Sequence, residues 1–296
     1  MILMKLLGGL GNQMFQYALG RHLSEINHTE LKLDTSYLLD RRPRPNVVFR
    51  NFDLPAFDMN LQVASADEVA AFTGNHQFLP RRYWHRLTTR INPPNIIREK
   101  QYGFDPSVLT TGNHSYLEGY WQSEKYFKAI ETIIRSDFAF KTQILEKSRT
   151  LTGEIINSNA ICLNVRRTDF VTVPSSSQGL GFVGLDYYRR AVDQMGRSIE
   201  NPRYFVFSDD IEWCKENLNL TDPHTFVEHI HAGEKFCNYL QMMTFCKHYI
   251  IANSTFAWWG AWLGCDNEKI VVAPKRWVAS IEIFNPSITP AAWHLV

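Results

Sequence analysis

The chain has 296 residues, 45% of them hydrophobic, so it can bury one large core or two of moderate size. Its 31 basic and 30 acidic side chains nearly cancel, which excludes a dedicated nucleic-acid-binding protein. The five cysteines are odd in number and lack CxxC spacing, so the pattern excludes a disulfide framework and a common zinc site.

The N-terminal apolar run ends at Gly8 after a handful of residues, which is too short for a signal-peptide core or a membrane span. No other charge-free segment reaches spanning length, so we expect a cytoplasmic protein without a transmembrane segment. Clusters of arginine in loop-like sequence leave peripheral association with a membrane open. These residues are Arg41, Arg42 and Arg44, then Arg81, Arg82, Arg86 and Arg90.

The first residues predict the opening of a Rossmann-like unit: a strand over 2–7, a glycine turn over 8–13 and a helix over 14–26. A second strand is predicted over 31–34, and Asp34 occupies the ribose position of dinucleotide enzymes. However, the glycine pattern is GGLGNQ rather than GxGxxG, which disfavours an NAD site. Gly11 leaves room for a ligand, and the amides of Asn12 and Gln13 suit sugar hydroxyls, so we expect them to line a sugar-binding cleft.

Residues 40–115 show no regular pattern, whereas the rest of the chain alternates between strands and helices. Such alternation predicts parallel sheets, and two series of it predict two doubly wound lobes, 1–150 and 151–296, with a cleft between them. After a strand end over 116–121 and a helix from about 123, strands are predicted over 161–165, 203–207, 225–228, 248–252 and 270–273. Helices are predicted over 211–217, 237–245 and 256–263.

An apolar strand ends at Arg166 and Arg167, at the edge where open α/β sheets bind ligands. A guanidinium group there suits phosphate oxygens. Because strand side chains alternate between faces, we expect Arg166 to hold the ligand and Arg167 to bond a carboxylate such as Asp169. A purely structural ion pair is the alternative.

Five segments of the chain together resemble the bacterial α-1,2-fucosyltransferases of glycosyltransferase family 11, as a divergent branch. They occur in the family's order and run nearly from end to end. The segments are GGLGNQMFQYALG (8–20), GYWQSEKYF (119–127), NVRRTDF (164–170), FSDDIEWCKENL (207–218) and IIANSTFAWWGAWLG (250–264).

The resemblance implies a GT-B fold with two Rossmann-like lobes, the acceptor on the N-terminal lobe and GDP-fucose on the C-terminal lobe. It implies an inverting, metal-independent transfer of L-fucose without a cofactor. The expected product is an α-1,2 linkage to O-2 of a galactoside, in surface polysaccharide synthesis. The expected partners are GDP-fucose and an oligosaccharide or lipid-linked glycan, with no nucleic acid.

Arg166 and the helix after the Asn-Ser-Thr turn can neutralise the charge that develops on the leaving GDP. The resemblance places the Ser208–Asp209 segment near the nucleotide, and we assign no metal to it. For the general base we prefer Asp169 to Asp186. The full donor-binding set is Asn164, Ser208, Asp209, Asn238, Tyr239, Asn253, Ser254 and Thr255.

The chain departs from the family pattern at two positions of the donor set. Asn164 stands where the family usually has His. Tyr239, beside Asn238, stands where it usually has an Asp suited to guanine, and we expect this pair to replace that carboxylate. These departures keep one alternative open, which is an inverting GT-B enzyme with another nucleotide sugar or linkage. A second alternative is an inactive glycan-binding relative, against which the arginine pair and the Asn-Ser-Thr turn argue.

Overall fold

The computed structural model describes residues 1–42, 48–74, 93–167, 183–278 and 287–296. The chain divides into two compact units, Met1–Lys141 and Thr142–Val296. The division therefore falls nine residues before the predicted one, because the helix Arg149–Ile156 packs on the first strand of the second unit and buries Ile155 completely.

The first unit contains a four-stranded parallel sheet in the spatial order β2-β1-β4-β3. Ile2 lies opposite both Leu31 and Ser115, so β1 is central and all four strands end at one edge. The strands are β1 (Ile2–Lys5), β2 (Leu31–Asp34), β3 (Asn95–Arg98) and β4 (Ser115–Glu118). The helices are α1 (Leu10–Ile26), α2 (Ser36–Leu39), α3 (Ala66–Thr73) and α4 (Glu131–Asp137).

Helix α1 begins earlier than its glycines predict. Gly8 has φ +74°, a left-handed conformation that favours glycine, and Gly9 is the N-cap. Gly11, Asn12 and Gln13 therefore belong to the first turn of the helix rather than to a glycine turn. The sequence predicts a helix from about residue 123, but the structure has two short 3₁₀ turns there and α4 begins only at Glu131.

The second unit contains a six-stranded parallel sheet in the order β10-β9-β8-β5-β6-β7. The chain builds β5, β6 and β7 outward in one direction, then returns to place β8, β9 and β10 on the other side of β5. The strands are β5 (Asn159–Val165), β6 (Pro202–Ser208), β7 (His224–Phe226), β8 (His248–Ile250), β9 (Val271–Ala273) and β10 (His294–Leu295). The helices are α5 (Arg149–Ile156), α6 (Leu185–Ser198), α7 (Ile211–Asn217), α8 (Cys237–Thr244) and α9 (Thr255–Leu263).

This strand order is that of a doubly wound Rossmann sheet, and the order reverses between β5 and β8. Helix α9 is buried almost all round: Trp258, Trp259 and Trp262 pack on one another. The Trp258 indole donates to the Ile288 carbonyl at 2.7 Å. The expected core role of these tryptophans is confirmed, and all five cysteines are free thiols as predicted.

Candidate active site

Three loops of the second unit meet at the carboxyl edge of neighbouring strands. Arg166 and Arg167 follow β5, Ser208–Asp210 follows or ends β6, and Asn253–Thr255 follows β8. Because β5 lies between β6 and β8, the sheet brings together three of the segments that the sequence singles out. The point of reversal between β5 and β8 is where open α/β sheets bind ligands.

The two arginines have separate partners. The Arg166 Nη1 atom lies 3.2 Å from Asp209 Oδ2, and its side chain is 30% exposed. Arg167 is 16% exposed; its Nε lies 3.3 Å from Asp210 Oδ2, and its guanidinium lies 3.8 Å from the centre of the Trp213 ring. Arg167 is therefore the more enclosed of the two, stacked between an aromatic ring and a carboxylate.

Asp209 and Asp210 hold the two arginines and the start of α7. Asp209 Oδ1 accepts from the backbone N–H of Arg167 at 2.9 Å, while its other oxygen faces Arg166. Asp210 caps α7 by accepting from the N–H of Trp213. The Ser208 hydroxyl accepts from the N–H of Asp210 at 2.9 Å. The predicted partner of Arg167, Asp169, lies outside the described residues.

Asn164 occupies a buried position on β5, two residues before Arg166. Its Nδ2 donates to the Phe207 carbonyl at 3.3 Å. Its buried Oδ1 has no hydrogen-bond partner within the part of the chain that the structure describes. A buried amide oxygen in this state is a ready acceptor for a donor group of a ligand or a water.

The Asn-Ser-Thr turn presents the start of α9 to the same edge. Asn253 is buried and its Nδ2 donates to the Trp277 carbonyl at 3.0 Å, which fixes the turn to the following loop. Ser254 is the N-cap residue, but its side chain makes no capping bond. The first turn of α9 therefore remains suited to an anionic oxygen.

Asn238 and Tyr239, which the sequence analysis assigns to the nucleotide base, direct their polar atoms to the protein itself. Asn238 Nδ2 donates to the His231 carbonyl and to Ser148 Oγ, while Oδ1 accepts from the N–H of Leu145. The Tyr239 hydroxyl donates to the Val227 carbonyl at 2.6 Å, and the residue is only 2% exposed. The polar atoms of both side chains therefore bond other parts of the protein: the segment before α8 and, for Asn238, also the turn before α5.

An exposed aromatic residue that the sequence analysis missed lies beside them. Phe236, immediately before α8, is 43% exposed and has φ +61°, which is unusual for a bulky side chain. Its ring contacts His229 at 6.1 Å between centroids, and His229 Nε2 donates to the Ser208 carbonyl at 3.0 Å. His229 therefore links Phe236 to Ser208. In the sequence, this position is marked only by an aromatic residue just before a predicted helix.

In the first unit, Gln13 is fully buried and its amide bonds the backbone of the protein. Its Nε2 donates to the carbonyls of Gly8 and Asn51, and its Oε1 accepts from the N–H of Asp53. The sugar contact predicted for Gln13 is therefore not supported. Gly11 is likewise buried.

Asn12 is half-buried and accepts from Gln122 at 2.9 Å, so it keeps a position at the carboxyl edge of the first sheet. Asp34 accepts from the Tyr116 hydroxyl and from the N–H of Ser36.

Over the described ranges, no cluster of three or more His, Cys, Asp or Glu side chains is arranged to hold a metal ion. In the same ranges, every helix is too short or too polar to cross a bilayer.

Comparisons with known proteins agree on one family. The profile of glycosyl transferase family 11 matches residues 97–294. The chain is 32% identical to the O-antigen biosynthesis glycosyltransferase WbnK of Escherichia coli, over 92% of this chain and 93% of that protein. It is 30% identical to an alpha-1,2-colitosyltransferase of Escherichia coli, over 99% of this chain and 97% of that protein.

More distant relatives extend these findings. Human galactoside alpha-(1,2)-fucosyltransferase 1 is 27% identical over 57% of this chain and 49% of that protein. The structure of a mutant of Arabidopsis thaliana FUT1 in complex with GDP superposes with a TM-score of 0.50 at 11% identity, covering 98% of this chain and 74% of that chain. The fold is therefore the two-lobed α/β fold of GT-B enzymes, as the sequence predicts.

Proposed function

Because the chain belongs to glycosyltransferase family 11, we propose that it transfers L-fucose from GDP-β-L-fucose to a glycan acceptor, with inversion at the anomeric carbon. One observation carries this proposal. Arg166 and the uncapped start of α9 follow adjacent strands at the point where the order of the second sheet reverses. A cation and a helix N-terminus at one edge suit a diphosphate.

The chemistry requires such an edge. When the bond between fucose and GDP breaks, negative charge develops on the departing diphosphate. Fixed positive groups lower the barrier most when they are already oriented towards that charge. Asp209 contacts both the Arg166 side chain and the Arg167 backbone, so it orients the Arg166 guanidinium. The neighbouring Asn164 oxygen is the candidate acceptor for a donor group of the nucleotide sugar.

The acceptor in this proposal is O-2 of a galactoside, within a surface polysaccharide made on the cytoplasmic side of a membrane. Similarity to an O-antigen glycosyltransferase, an alpha-1,2-colitosyltransferase and an alpha-(1,2)-fucosyltransferase supports the glycan class and the linkage. The colitosyl relative favours one alternative, which is the transfer of a sugar other than fucose. An inactive glycan-binding relative is the other alternative.

The test combines nucleotide binding with turnover. Calorimetry with GDP, ADP and UDP is expected to show the tightest binding for GDP, and purified protein is expected to release GDP from GDP-fucose. Transfer to β-galactosides, with linkage assigned by NMR, then tests O-2. A preference for UDP or ADP would overturn the GDP-sugar donor. Binding of GDP-fucose with no release of GDP, with or without acceptors, would support the inactive relative.

We also propose that no metal takes part. Asp209 and Asp210 are committed to Arg166, Arg167 and the cap of α7, so a metal ion would have to displace these partners. Turnover is expected to survive excess EDTA. Loss of activity that Mn²⁺ or Mg²⁺ restores would require both aspartates to be reassigned as ligands.

A further inference from the structure

Three tyrosines follow three different strands of the first sheet. Tyr37 lies on α2 just after β2, Tyr102 follows β3, and Tyr120 follows β4. All four strands are parallel, so these tyrosines lie at the same carboxyl edge of the sheet. In this sheet too the strand order reverses, because β2 lies on one side of β1 whereas β4 and β3 lie on the other. Such a reversal is the position where these folds bind ligands.

The tyrosines are close to one another. The rings of Tyr102 and Tyr120 stack with centroids 6.3 Å apart and planes 15° apart. Burial, followed by the nearby Tyr102, Tyr37 and Glu99, raises the pKa of Tyr120 to about 12. Tyr102 is 37% exposed, while Tyr37 and Tyr120 are half-buried. The cluster therefore exposes part of its aromatic surface to solvent, and the stacking of Tyr102 on Tyr120 fixes the position of that surface.

A carboxylate lies within this aromatic cluster. Glu99 Oε2 accepts from the N–H of Tyr120 at 2.7 Å and Oε1 accepts from the N–H of Trp121 at 3.1 Å. These two bonds fix the carboxylate, and each oxygen has a second acceptor position that they do not use. Gly119 is required beside it, because a Cβ there would come within 2.5 Å of the Glu99 side chain.

The cations at this edge are paired with a carboxylate. The Lys5 Nζ lies 2.5 Å from Glu118 Oε1, and the Arg98 Nε lies 3.2 Å from Glu118 Oε2. Lys5 also lies 5.9 Å from the centre of the Tyr37 ring. Lys5 and Arg98 are both paired with Glu118, as Arg166 and Arg167 are paired with Asp209 and Asp210, so the tyrosine cluster is what distinguishes this edge from the Arg166 edge.

We propose that Tyr37, Tyr102 and Tyr120, with Glu99 among them, bind the pyranose ring of the glycan acceptor. The CH face of a sugar ring packs on aromatic surface, and its hydroxyl groups donate to a fixed carboxylate. Neutral rings with many hydroxyls match this combination better than nucleotides do. This inference rests on the proposed function, and it places acceptor recognition at tyrosines rather than at the amides of Asn12 and Gln13.

The experiment compares Tyr102→Ala with Tyr102→Phe, which keeps the ring. Phe245→Ala is the matched control, because Phe245 is also 37% exposed but lies at the end of α8 in the second unit. Tyr102→Ala is expected to lower kcat/KM for the acceptor about tenfold, while GDP affinity and GDP release without acceptor stay unchanged. Tyr102→Phe is expected to keep most of the activity, and Phe245→Ala all of it.

A second measurement separates this inference from the proposed function. Saturation-transfer NMR with a panel of methyl hexopyranosides detects sugar binding without turnover. The full-length wild-type protein is expected to give a signal that Tyr102→Ala loses, even if GDP-fucose is not the donor. An unchanged acceptor kcat/KM in Tyr102→Ala, an equal loss of GDP affinity, or no signal from any sugar with the wild type would overturn the assignment of the sugar to these tyrosines.

Discussion

Asp209 is the residue that holds the two arginines of the candidate site in place. One of its oxygens receives the backbone N–H of Arg167 and the other faces the Arg166 side chain, so a single carboxylate fixes the end of β5 and the guanidinium after it. The sequence predicts the different roles of the two arginines from strand alternation alone. It could not identify Asp210 as the partner of Arg167, because a contact 43 positions away depends on how two strands pair.

Replacing the two arginines by alanine is expected to affect different properties, turnover for Arg166 and stability for Arg167. Arg166→Ala should reduce turnover at least ~100-fold, the scale for removing a group that stabilises charge in the transition state, with an unchanged Tm. Arg167→Ala should lower the Tm by ~2–4 °C, because it removes packing on Trp213 as well as an ion pair. Steady-state kinetics and thermal melts of both variants check this. A larger loss of Tm in Arg166→Ala would show that the roles are exchanged.

Phe236 is expected to contribute to binding of the nucleotide base. Its exposed ring lies beside His229, which bonds the Ser208 carbonyl at the same sheet edge as Arg166. Phe236→Ala should weaken GDP binding about tenfold, since stacking of a base on an aromatic ring is worth ~1–3 kcal/mol. Tyr239→Phe is the control and should leave GDP affinity unchanged, because its hydroxyl bonds Val227. Equal GDP affinity in Phe236→Ala and wild type, measured by calorimetry, would contradict this assignment.

At the scale of elements, strong patterns predicted the fold and weak ones failed for identifiable reasons. The bounds of β2 and α7 agree with the prediction to the residue, because alternation of leucine with charged residues defines β2 and a side-chain cap at Asp210 begins α7. Helix α6 was missed although Tyr188, Ala191 and Met195 recur at helical spacing, since it has few aliphatic residues. The early start of α1 depends on bonds that Gln13 makes to distant backbone, which local sequence does not show.

Strand β8 contains a histidine that is expected to make the fold sensitive to acid. His248 Nδ1 accepts from the N–H of Ile270, and burial lowers the pKa of His248. A depressed folded pKa means that the unfolded chain binds the proton more readily, so stability should fall as pH drops below ~6.5. His248→Asn keeps an acceptor but does not titrate, so its Tm should depend less on pH between ~7 and ~5. Melting curves of equal pH slope for both proteins would contradict this.

At the scale of the whole molecule, the proposed function assigns the donor to the second unit and the acceptor to the first. Each contains a parallel sheet whose strand order reverses beside its central strand. The edge of the second sheet carries Arg166 and Arg167, whereas the edge of the first carries a cluster of tyrosines. A donor with a diphosphate and an acceptor made of neutral sugars need this difference.

The second unit is expected to bind nucleotide without the first. A fragment of residues 142–296 contains all six strands of its sheet and every described donor-side residue. It should fold cooperatively and bind GDP with an affinity close to that of the full chain, but it should transfer no sugar. Circular dichroism and calorimetry of the fragment test this. A folded fragment with no affinity for GDP would show that the first unit completes the donor site.

The central position of β5 also matters while the chain is being synthesised. In the finished sheet Ile161 lies opposite Tyr204 and opposite His248, so β5 leaves the ribosome long before its second neighbour exists. At a translation rate of ~5–20 residues per second, one edge of this apolar strand stays unpaired for several seconds. Translational pausing between β7 and β8 would lengthen that interval and expose a template for pairing between nascent chains. Faster elongation or a bound chaperone over this window should therefore raise the soluble yield.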